Sequence, residues 1–410
     1  MRDSKRMRFA RLIRVIGMVV VAVAGFPTAP AFAQHDAPLA PLVGPERPDA
    51  EPRLLAVPSQ DASDASDADA RRMLREAHAK SQTAKTLQQY AEVIELCRRA
   101  AERPLSDNLA AYANNLRAWA HNQRGEYYAE QAAALTQAGQ REAAGQMEKL
   151  AMADFVSAVQ LGPDYWKAIH NRGVGRALAG QLEQAAADFS RAIGLRPDYA
   201  HSWFNRGEIH FAQDKLDAAI ADYTRAIQLD DRDADTRIRR GDAYLQTGQL
   251  PQALADYDRA VELAPGDAAP LVARANANRR LGHWQRAADD YLQAIRIDPG
   301  SGPAFQGAAW LMATCPETDI RNAETALRAA QQAAQLLGRE DYRVLDTWAA
   351  ALANDGQFDK ARTAAAQAIQ AAPQEHVAPL QKRLELYQKN RPYREASTID
   401  IRAEANRWRE

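Results

Sequence analysis

The 410-residue sequence predicts an all-α protein, an α-solenoid built of antiparallel helical hairpins. The first indication is a repeat, because small, aromatic and proline residues recur every 34 positions in the middle of the chain. The second is the spacing of apolar residues, which is close to 3.6 on both sides of a short break in each repeat. The third is composition, since alanine is abundant and only 7% of residues are aromatic, which suits closely packed helices.

The repeat is regular over residues 165–301, which form four units. The positions that recur with a step of 34 are Gly173, Gly207, Gly241 and Ala275; Ala185, Ala219, Ala253 and Ala287; Ala192, Ala226, Ala260 and Ala294; Phe189, Tyr223, Tyr257 and Tyr291; and Pro163, Pro197, Asp231, Pro265 and Pro299. A glycine inside the first helix favours close approach of the second helix. We expect an alanine to face this contact and the aromatic residue to fill the space beside it.

A short break separates the two helices of each unit, and there we expect a left-handed backbone conformation that ends the first helix. The four breaks fall at Gly180, Asp214, Gly248 and Gly282.

This pattern resembles the tetratricopeptide repeat family, which has a 34-residue period. Asp231 and Ala275 depart from the family's proline and glycine. The stretches WLMATCPETD, DTWAAALANDGQFDKA and RLELYQKNRPYRE look like the terminal module of many multi-repeat bacterial members. The resemblance implies a right-handed superhelix with a concave groove, and a non-catalytic scaffold that binds a protein or peptide partner.

The first 33 residues have the features of a secretory signal peptide. Six basic residues precede Val15, an apolar run of 12 residues extends to Phe26, and the segment ends in Ala31-Phe32-Ala33. Twelve residues are too few for a comfortable transmembrane helix, which needs about 20. We therefore predict cleavage after Ala33 and an exported protein, periplasmic or secreted, with no stable membrane insertion. An uncleaved membrane anchor is the alternative.

The rest of the chain divides by composition and spacing. The predicted segments are a disordered linker rich in Pro, Asp, Ala and Ser over 34–68, degenerate and extended hairpins over 69–164, four regular units over 165–301, irregular units and a capping helix over 302–395, and a flexible tail over 396–410. One hairpin before the regular units has gained 14 residues around a turn at 136–140. After the regular units we expect helices over 305–314, 320–337 and 379–390.

The resemblance places the first helix of each unit along the groove, and five positions of that helix face it. The predicted groove residues are Gln123, Lys167, His170, Asn171, His201, Phe204, Asn205, Glu208, Arg239 and Asp242, with Ala269, Val272, Ala273, Asn276 and Arg279 in the fourth unit. Asn171 and Asn205 hold the same position, where an amide can both donate to and accept from a peptide backbone. This row resembles the asparagine ladders of some long members of the family. The alternative is that these amides brace neighbouring helices.

Other functions find little support in the residues. The formal net charge of -1 argues against a nucleic-acid partner bound through a general basic surface. No catalytic or cofactor motif is recognisable, so we expect no enzyme activity and no cofactor. His170, His201 and Glu208 do not make a full metal-ligand set, and Cys97 and Cys315 are expected to be unpaired. The alternative function is a structural component of a cell-envelope or secretion assembly that docks through the extended hairpin.

Acidic and basic residues also recur on the second helices, three positions apart. They are Asp188 and Arg191, Asp222 and Arg225, and Asp256 and Arg259. We interpret them as solvated surface pairs.

Overall fold

The computed structural model of the chain describes residues 65–396, where it has 17 helices and no β-strand. This confirms the predicted fold class, an all-α solenoid of helical hairpins. The predicted signal peptide, the linker up to residue 64 and the tail from residue 397 lie outside the described residues. The described residues form two compact units, an N-terminal unit at 65–229 and a C-terminal unit at 230–396.

Each unit consists of consecutive helices that pack side by side. The N-terminal unit contains α1 Ala65–Ser81, α2 Leu87–Ala101, α3 Asp107–Gln137, α4 Arg141–Leu161, α5 Trp166–Leu178, α6 Leu182–Leu195, α7 Ala200–Ala212 and α8 Leu216–Leu229. The C-terminal unit contains α9 Ala234–Gln246, α10 Leu250–Leu263, α11 Ala268–Arg280, α12 Trp284–Ile297, α13 Gly302–Thr314, α14 Ala323–Leu337, α15 Tyr342–Asn354, α16 Phe358–Ala371 and α17 Gln374–Gln388.

The predicted helix breaks are confirmed. Gly180, Gly248 and Gly282 have φ between 73° and 78°, and Asp214 adopts the same left-handed conformation with φ 56°. The backbone N–H after each break bonds to a carbonyl five residues earlier, for example Gln249 to Tyr244 at 2.7 Å. This satisfies carbonyls that the helix end would otherwise leave open.

In three of the four regular hairpins, the second helix lies close against a glycine of the first helix. The contact differs from the prediction, because the aromatic ring of the second helix, and not an alanine, lies directly on the glycine. A Cβ added at Gly207 would lie 2.7 Å from Cε1 of Tyr223, and one at Gly241 would lie 2.7 Å from Cε1 of Tyr257. The rings of Tyr223 and Tyr257 are fully buried, and each occupies the space that a side chain in place of the glycine would fill.

The second helices carry buried aspartates, which the sequence interpretation placed wrongly on the surface. Asp188 is only 4% exposed, and Arg172 of the preceding helix binds both of its carboxylate oxygens at 2.9 and 2.6 Å. The same bidentate pairing recurs in Arg124–Asp154, Arg206–Asp222, Arg240–Asp256 and Arg274–Asp290. A planar guanidinium can donate two parallel hydrogen bonds to a carboxylate. Each pair therefore joins the first and second helices of its hairpin.

Several helix boundaries differ from the predictions. Helix α1 begins at Ala65, so it includes the last four residues of the predicted linker. It starts five residues before Ala70, which is fully buried. Helix α14 begins after Asn322, whose side chain accepts a hydrogen bond from the Thr325 backbone at 2.9 Å. Helix α17 begins at Gln374, five residues before Pro379.

No helix within residues 65–396 is both long enough and apolar enough to cross a membrane.

The glycine contact generates a prediction with a matched control. We expect Gly207→Ala to lower the free energy of unfolding by about 1–3 kcal/mol, because the new methyl group overlaps Tyr223. Gly145→Ala in α4 meets nothing within 4 Å and should instead stabilise the helix by about 0.5–1 kcal/mol. Urea unfolding followed by circular dichroism measures both, and equal effects of the two substitutions would contradict this account.

Candidate functional site

Of the ten groove residues predicted upstream of the fourth unit, eight are buried within the chain. They are Lys167, His170, Asn171, Phe204, Asn205, Glu208, Arg239 and Asp242, whereas Gln123 and His201 are partly exposed. The structure therefore places most of these side chains among their neighbours on adjacent helices. What they bind there determines what remains for a partner.

Asn171 belongs to a buried polar cluster between α3 and α5. Its side-chain amide donates to Asn122 Oδ1 at 3.0 Å and to Glu126 Oε1 at 2.9 Å, and Asn122 also donates to Glu126 at 2.8 Å. The amide that meets Asn171 is thus Asn122 and not Gln123, the residue chosen from the sequence. Asn171 is fully buried, so its donors brace two helices, which is the alternative that the sequence left open.

Glu126 is the charged member of this cluster. Burial raises the pKa of its carboxyl to about 7, although Lys167 and the two amide donors favour the ionised form. A carboxyl in these surroundings is near its midpoint at neutral pH.

His170 is also used internally. Its Nδ1 lies 2.9 Å from Ser202 Oγ, and its ring packs on those of Tyr199 and Phe189 at centroid distances of 5.1 and 5.4 Å. Burial, with His201 as the second cause, lowers the pKa of His170 to about 3, so the ring stays neutral at ordinary pH. Within the described part of the chain, no group of three or more His, Cys, Asp or Glu side chains could hold a metal ion.

Both cysteines are free and buried. Burial raises the pKa of the Cys97 thiol to about 12, so this sulfur is a core group with little thiolate character.

The ninth residue of the first helix in each regular unit also contacts the aromatic residue of the second helix. The hydroxyls of Tyr223, Tyr257 and Tyr291 donate to the side chains of Glu208, Asp242 and Asn276, the last two at 2.7 and 2.6 Å. In the hairpin α5/α6 both partners are apolar, since Phe189 packs with Val174. The acceptor is therefore present where the aromatic residue carries a hydroxyl and is replaced by valine where it does not.

The C-terminal unit contains a concave cavity of about 450 Å³. Val272, Asn276 and Arg279 of α11 line it, three of the five residues that the sequence analysis placed on the groove in the fourth unit. The same positions of α13 contribute Pro303, Gln306, Gly307 and Trp310, and those of α15 contribute Arg343, Asp346 and Thr347. Residues of α17, among them His376 and Leu380, close one side.

Paired charges and aromatic rings surround this cavity. Arg383 of α17 binds both oxygens of Asp346 at 2.9 and 2.7 Å. Its guanidinium also lies 5.3 Å from the ring centre of Trp310, within cation–π range. The rings of Tyr342 and His376 stack at 5.4 Å with an angle of 18°. The cavity thus combines flat apolar faces with fixed hydrogen-bonding groups.

The residues after α17 return to the same concave surface. We call residues 391–396 the C-terminal strap; it has no regular secondary structure. The backbone N–H of Glu395 donates to the Thr314 carbonyl at 2.8 Å, and the Glu395 carboxylate is paired with Arg279 and accepts a hydrogen bond from Trp310 Nε1 at 3.0 Å. Arg394 donates to Asn354 Oδ1 at 3.0 Å. The strap therefore holds a carboxylate against two residues that line the cavity.

Comparison with known families agrees with this architecture. The family model of the tetratricopeptide repeat matches residues 178–234 and 238–302. The chain is a tetratricopeptide repeat protein. Its fold is that of a protein–protein interaction scaffold. The search of curated proteins found no match for this tetratricopeptide repeat protein.

Solved structures similar to this tetratricopeptide repeat protein share 14–20% of its sequence in the examples that follow. The Cut9–Hcn1 hetero-tetramer of APC/C aligns with a TM-score of 0.50 and 15% identity, over 77% of this chain and 55% of that chain. A tetratricopeptide repeat protein from Parabacteroides merdae aligns with a TM-score of 0.48 and 14% identity, over 64% and 98% of the two chains. YrrB, described as having an unusual peptide-binding site, aligns with a TM-score of 0.37 and 20% identity, over 47% and 95%. Identities this low indicate a shared fold alone.

The pairing of tyrosine with its acceptor predicts a coupling between two substitutions. Phe189→Tyr should lower the free energy of unfolding by about 1–3 kcal/mol, because its buried hydroxyl meets Val174 and finds no acceptor. Adding Val174→Asn should recover part of this loss, with a coupling energy of about 0.5–3 kcal/mol in a double-mutant cycle. Additive effects of the two substitutions in urea unfolding would contradict the pairing.

The pKa of Glu126 predicts a pH dependence of stability. Because its pKa in the folded protein lies above that of an unfolded glutamate, its contribution is full below about pH 4.5 and declines as the pH rises through about 7. Glu126→Gln keeps an acceptor for both amides and has no such dependence. As the pH rises from 5 to 8, we therefore expect the free energy of unfolding of Glu126→Gln to increase by about 1–3 kcal/mol relative to that of the parent protein.

The matched control is Glu142→Gln, an exposed position on α4. Urea unfolding at both pH values measures the difference, and a Glu126→Gln variant that follows the parent at both would show that this carboxyl does not titrate in the folded range.

Proposed function

We propose that this protein is a non-catalytic scaffold that binds an extended segment of a partner protein in the concave cavity of its C-terminal unit. The observation that supports this choice is the cavity of about 450 Å³, lined by equivalent positions of α11, α13 and α15. Successive first helices thus present the same face to one space. The residues predicted further upstream are mostly consumed by contacts within the chain.

The lining suits a peptide in extended conformation. The amide of Gln306 can both donate to and accept from a peptide backbone. The Asn276 side chain offers its amide donors, because its Oδ1 already accepts from Tyr291, and the Thr347 hydroxyl offers an acceptor, because it donates to the Arg343 carbonyl at 2.8 Å. Val272, Trp310 and Leu380 offer apolar surface for side chains of the segment. A volume of about 450 Å³ falls in the usual range of specific binding pockets, about 300–1,000 Å³.

Export is part of the proposal and rests on the sequence of residues 1–33. A basic start, a short apolar run and an Ala-x-Ala end together favour cleavage after Ala33. Mass spectrometry of the protein recovered from the envelope and medium of its host should find Gln34 at the N-terminus. An intact Met1 in the membrane fraction would support the anchor instead.

The alternative role is docking through the long hairpin of α3 and α4, which have 31 and 21 residues against 13 and 14 in α5 and α6. Its turn around Gly139 is exposed. Crosslinking with mass spectrometry in envelope extract separates the two roles, because partner crosslinks would fall either on the cavity rim or on this turn.

The cavity can be tested by filling it. Gln306→Trp places a large ring in the cavity and removes only a marginal 3.5 Å contact to Thr347. We expect peptides selected by the parent protein from a random display library to bind this variant at least tenfold more weakly. Gln331→Trp, at an exposed position on α14, is the matched control and should bind them as the parent does.

Binding by fluorescence anisotropy measures both variants, with circular dichroism to verify folding. Undiminished binding to folded Gln306→Trp would rule out the cavity as the binding site.

A further inference from the structure

The C-terminal strap lies where the proposed partner segment would lie. It has no regular secondary structure and bonds through its backbone to the end of α13, where the Glu395 N–H donates to the Thr314 carbonyl at 2.8 Å. A second bond runs from the Arg394 guanidinium to the Ala313 carbonyl at 2.9 Å. A chain segment held by backbone and side-chain groups on a concave helical face has the geometry of a bound peptide.

The Glu395 carboxylate is the most deeply placed charge of the strap. Its side chain is 10% exposed and that of its partner Arg279 is 6% exposed. Trp310 Nε1 donates to the second oxygen at 3.0 Å. A buried arginine of this kind needs a carboxylate partner, because leaving its charge unpaired costs several kcal/mol. Any segment that replaced the strap would therefore have to supply its own carboxylate.

An aromatic residue precedes this carboxylate by two positions. Tyr393 packs against the Trp310 ring with a centroid distance of 5.9 Å, and the Arg383 guanidinium lies 5.5 Å from the Tyr393 ring. Trp310 and Arg383 also line the cavity. The strap and the cavity thus share Arg279, Trp310 and Arg383, so a peptide in the cavity would extend onto the site of Tyr393 and Glu395.

We propose that the strap is a tethered pseudo-ligand, and that the partner of this protein is a segment with a glutamate or aspartate and an aromatic residue two positions before it, which displaces Glu395 from Arg279 and Trp310. The inference rests on the proposed function and adds the chemistry of the partner. A short tether gives the strap an effective concentration in the millimolar range. The strap therefore excludes weak segments and yields to tight ones.

The test uses the full chain and a fluorescein-labelled synthetic peptide of sequence NRPYREAS, which copies residues 390–397. The strap is weakened in the double variant Tyr393→Ala, Glu395→Gln. Glu385→Gln, at an exposed position of α17, is the matched control. We expect the peptide to bind the double variant at least tenfold more tightly than it binds the parent or the control.

A second peptide, with glutamine in place of its glutamate, should bind the double variant at least tenfold more weakly than the first. This comparison leaves the protein unchanged, so it holds even if the strap also contributes to stability. Thermal unfolding verifies that the double variant is folded.

Equal affinity of the peptide for the parent and the double variant would overturn the inference, and so would indifference to the glutamate. If this happens while Gln306→Trp still abolishes binding of library peptides, only the strap is ruled out as a pseudo-ligand. If Gln306→Trp also has no effect, the proposed function fails with it.

Discussion

The close approach of two helices at a small residue is the constraint on which the rest of this structure depends. A buried aromatic ring lies on the glycine of each regular first helix except the fourth, where Ala275 stands. Because the ring fills this space, the two helices are fixed in distance and register, and the arginine of one helix reaches the aspartate of the other with two hydrogen bonds. The tyrosine hydroxyl then reaches the ninth position of the first helix. The fourth hairpin makes the same polar contacts with Ala275 in place of glycine, so this position needs a small residue and not glycine in particular.

The sequence predicted the hairpins because helix periodicity, turns and small-residue positions are local signals that repeat. It predicted the polar residues less well, since whether Asn171 faces a partner or Glu126 depends on neighbours 45–49 positions away. The arginines at 172, 206, 240 and 274 also recur every 34 residues and were a readable signal for the buried ion pairs. The i,i+3 spacing of Asp188 and Arg191 on one helix instead suggests a surface pair, whereas Asp188 binds Arg172 of the preceding helix.

The cavity itself was not predicted, although three of its lining residues, Val272, Asn276 and Arg279, were named as groove residues. The count of 34 continues from Ala268 to Gly302, so it reaches Gln306 and Trp310 as well as Asn276. The 34-residue period does not continue to α15, because Gly302 and Tyr342, where α13 and α15 begin, are 40 positions apart, six more than the period. No repeat in the sequence predicts the position of the strap. Residues 391–396 have no helical period, and only the folded chain brings Glu395 to Arg279, 116 positions earlier.

Tyr291 departs from the arrangement of the other rings and links two repeats. The fourth unit has Ala275 where the others have glycine, and the Tyr291 ring lies against Gly307 of the next hairpin. In a linear array, stability is approximately a sum of the stability within each repeat and the energy between neighbours. The Tyr291 ring contributes to both, because its hydroxyl bonds to Asn276 of its own hairpin and its ring lies against Gly307, so it couples the hairpin α11/α12 to α13/α14. The two hairpins that frame the cavity are thereby favoured to open and close as one cooperative block.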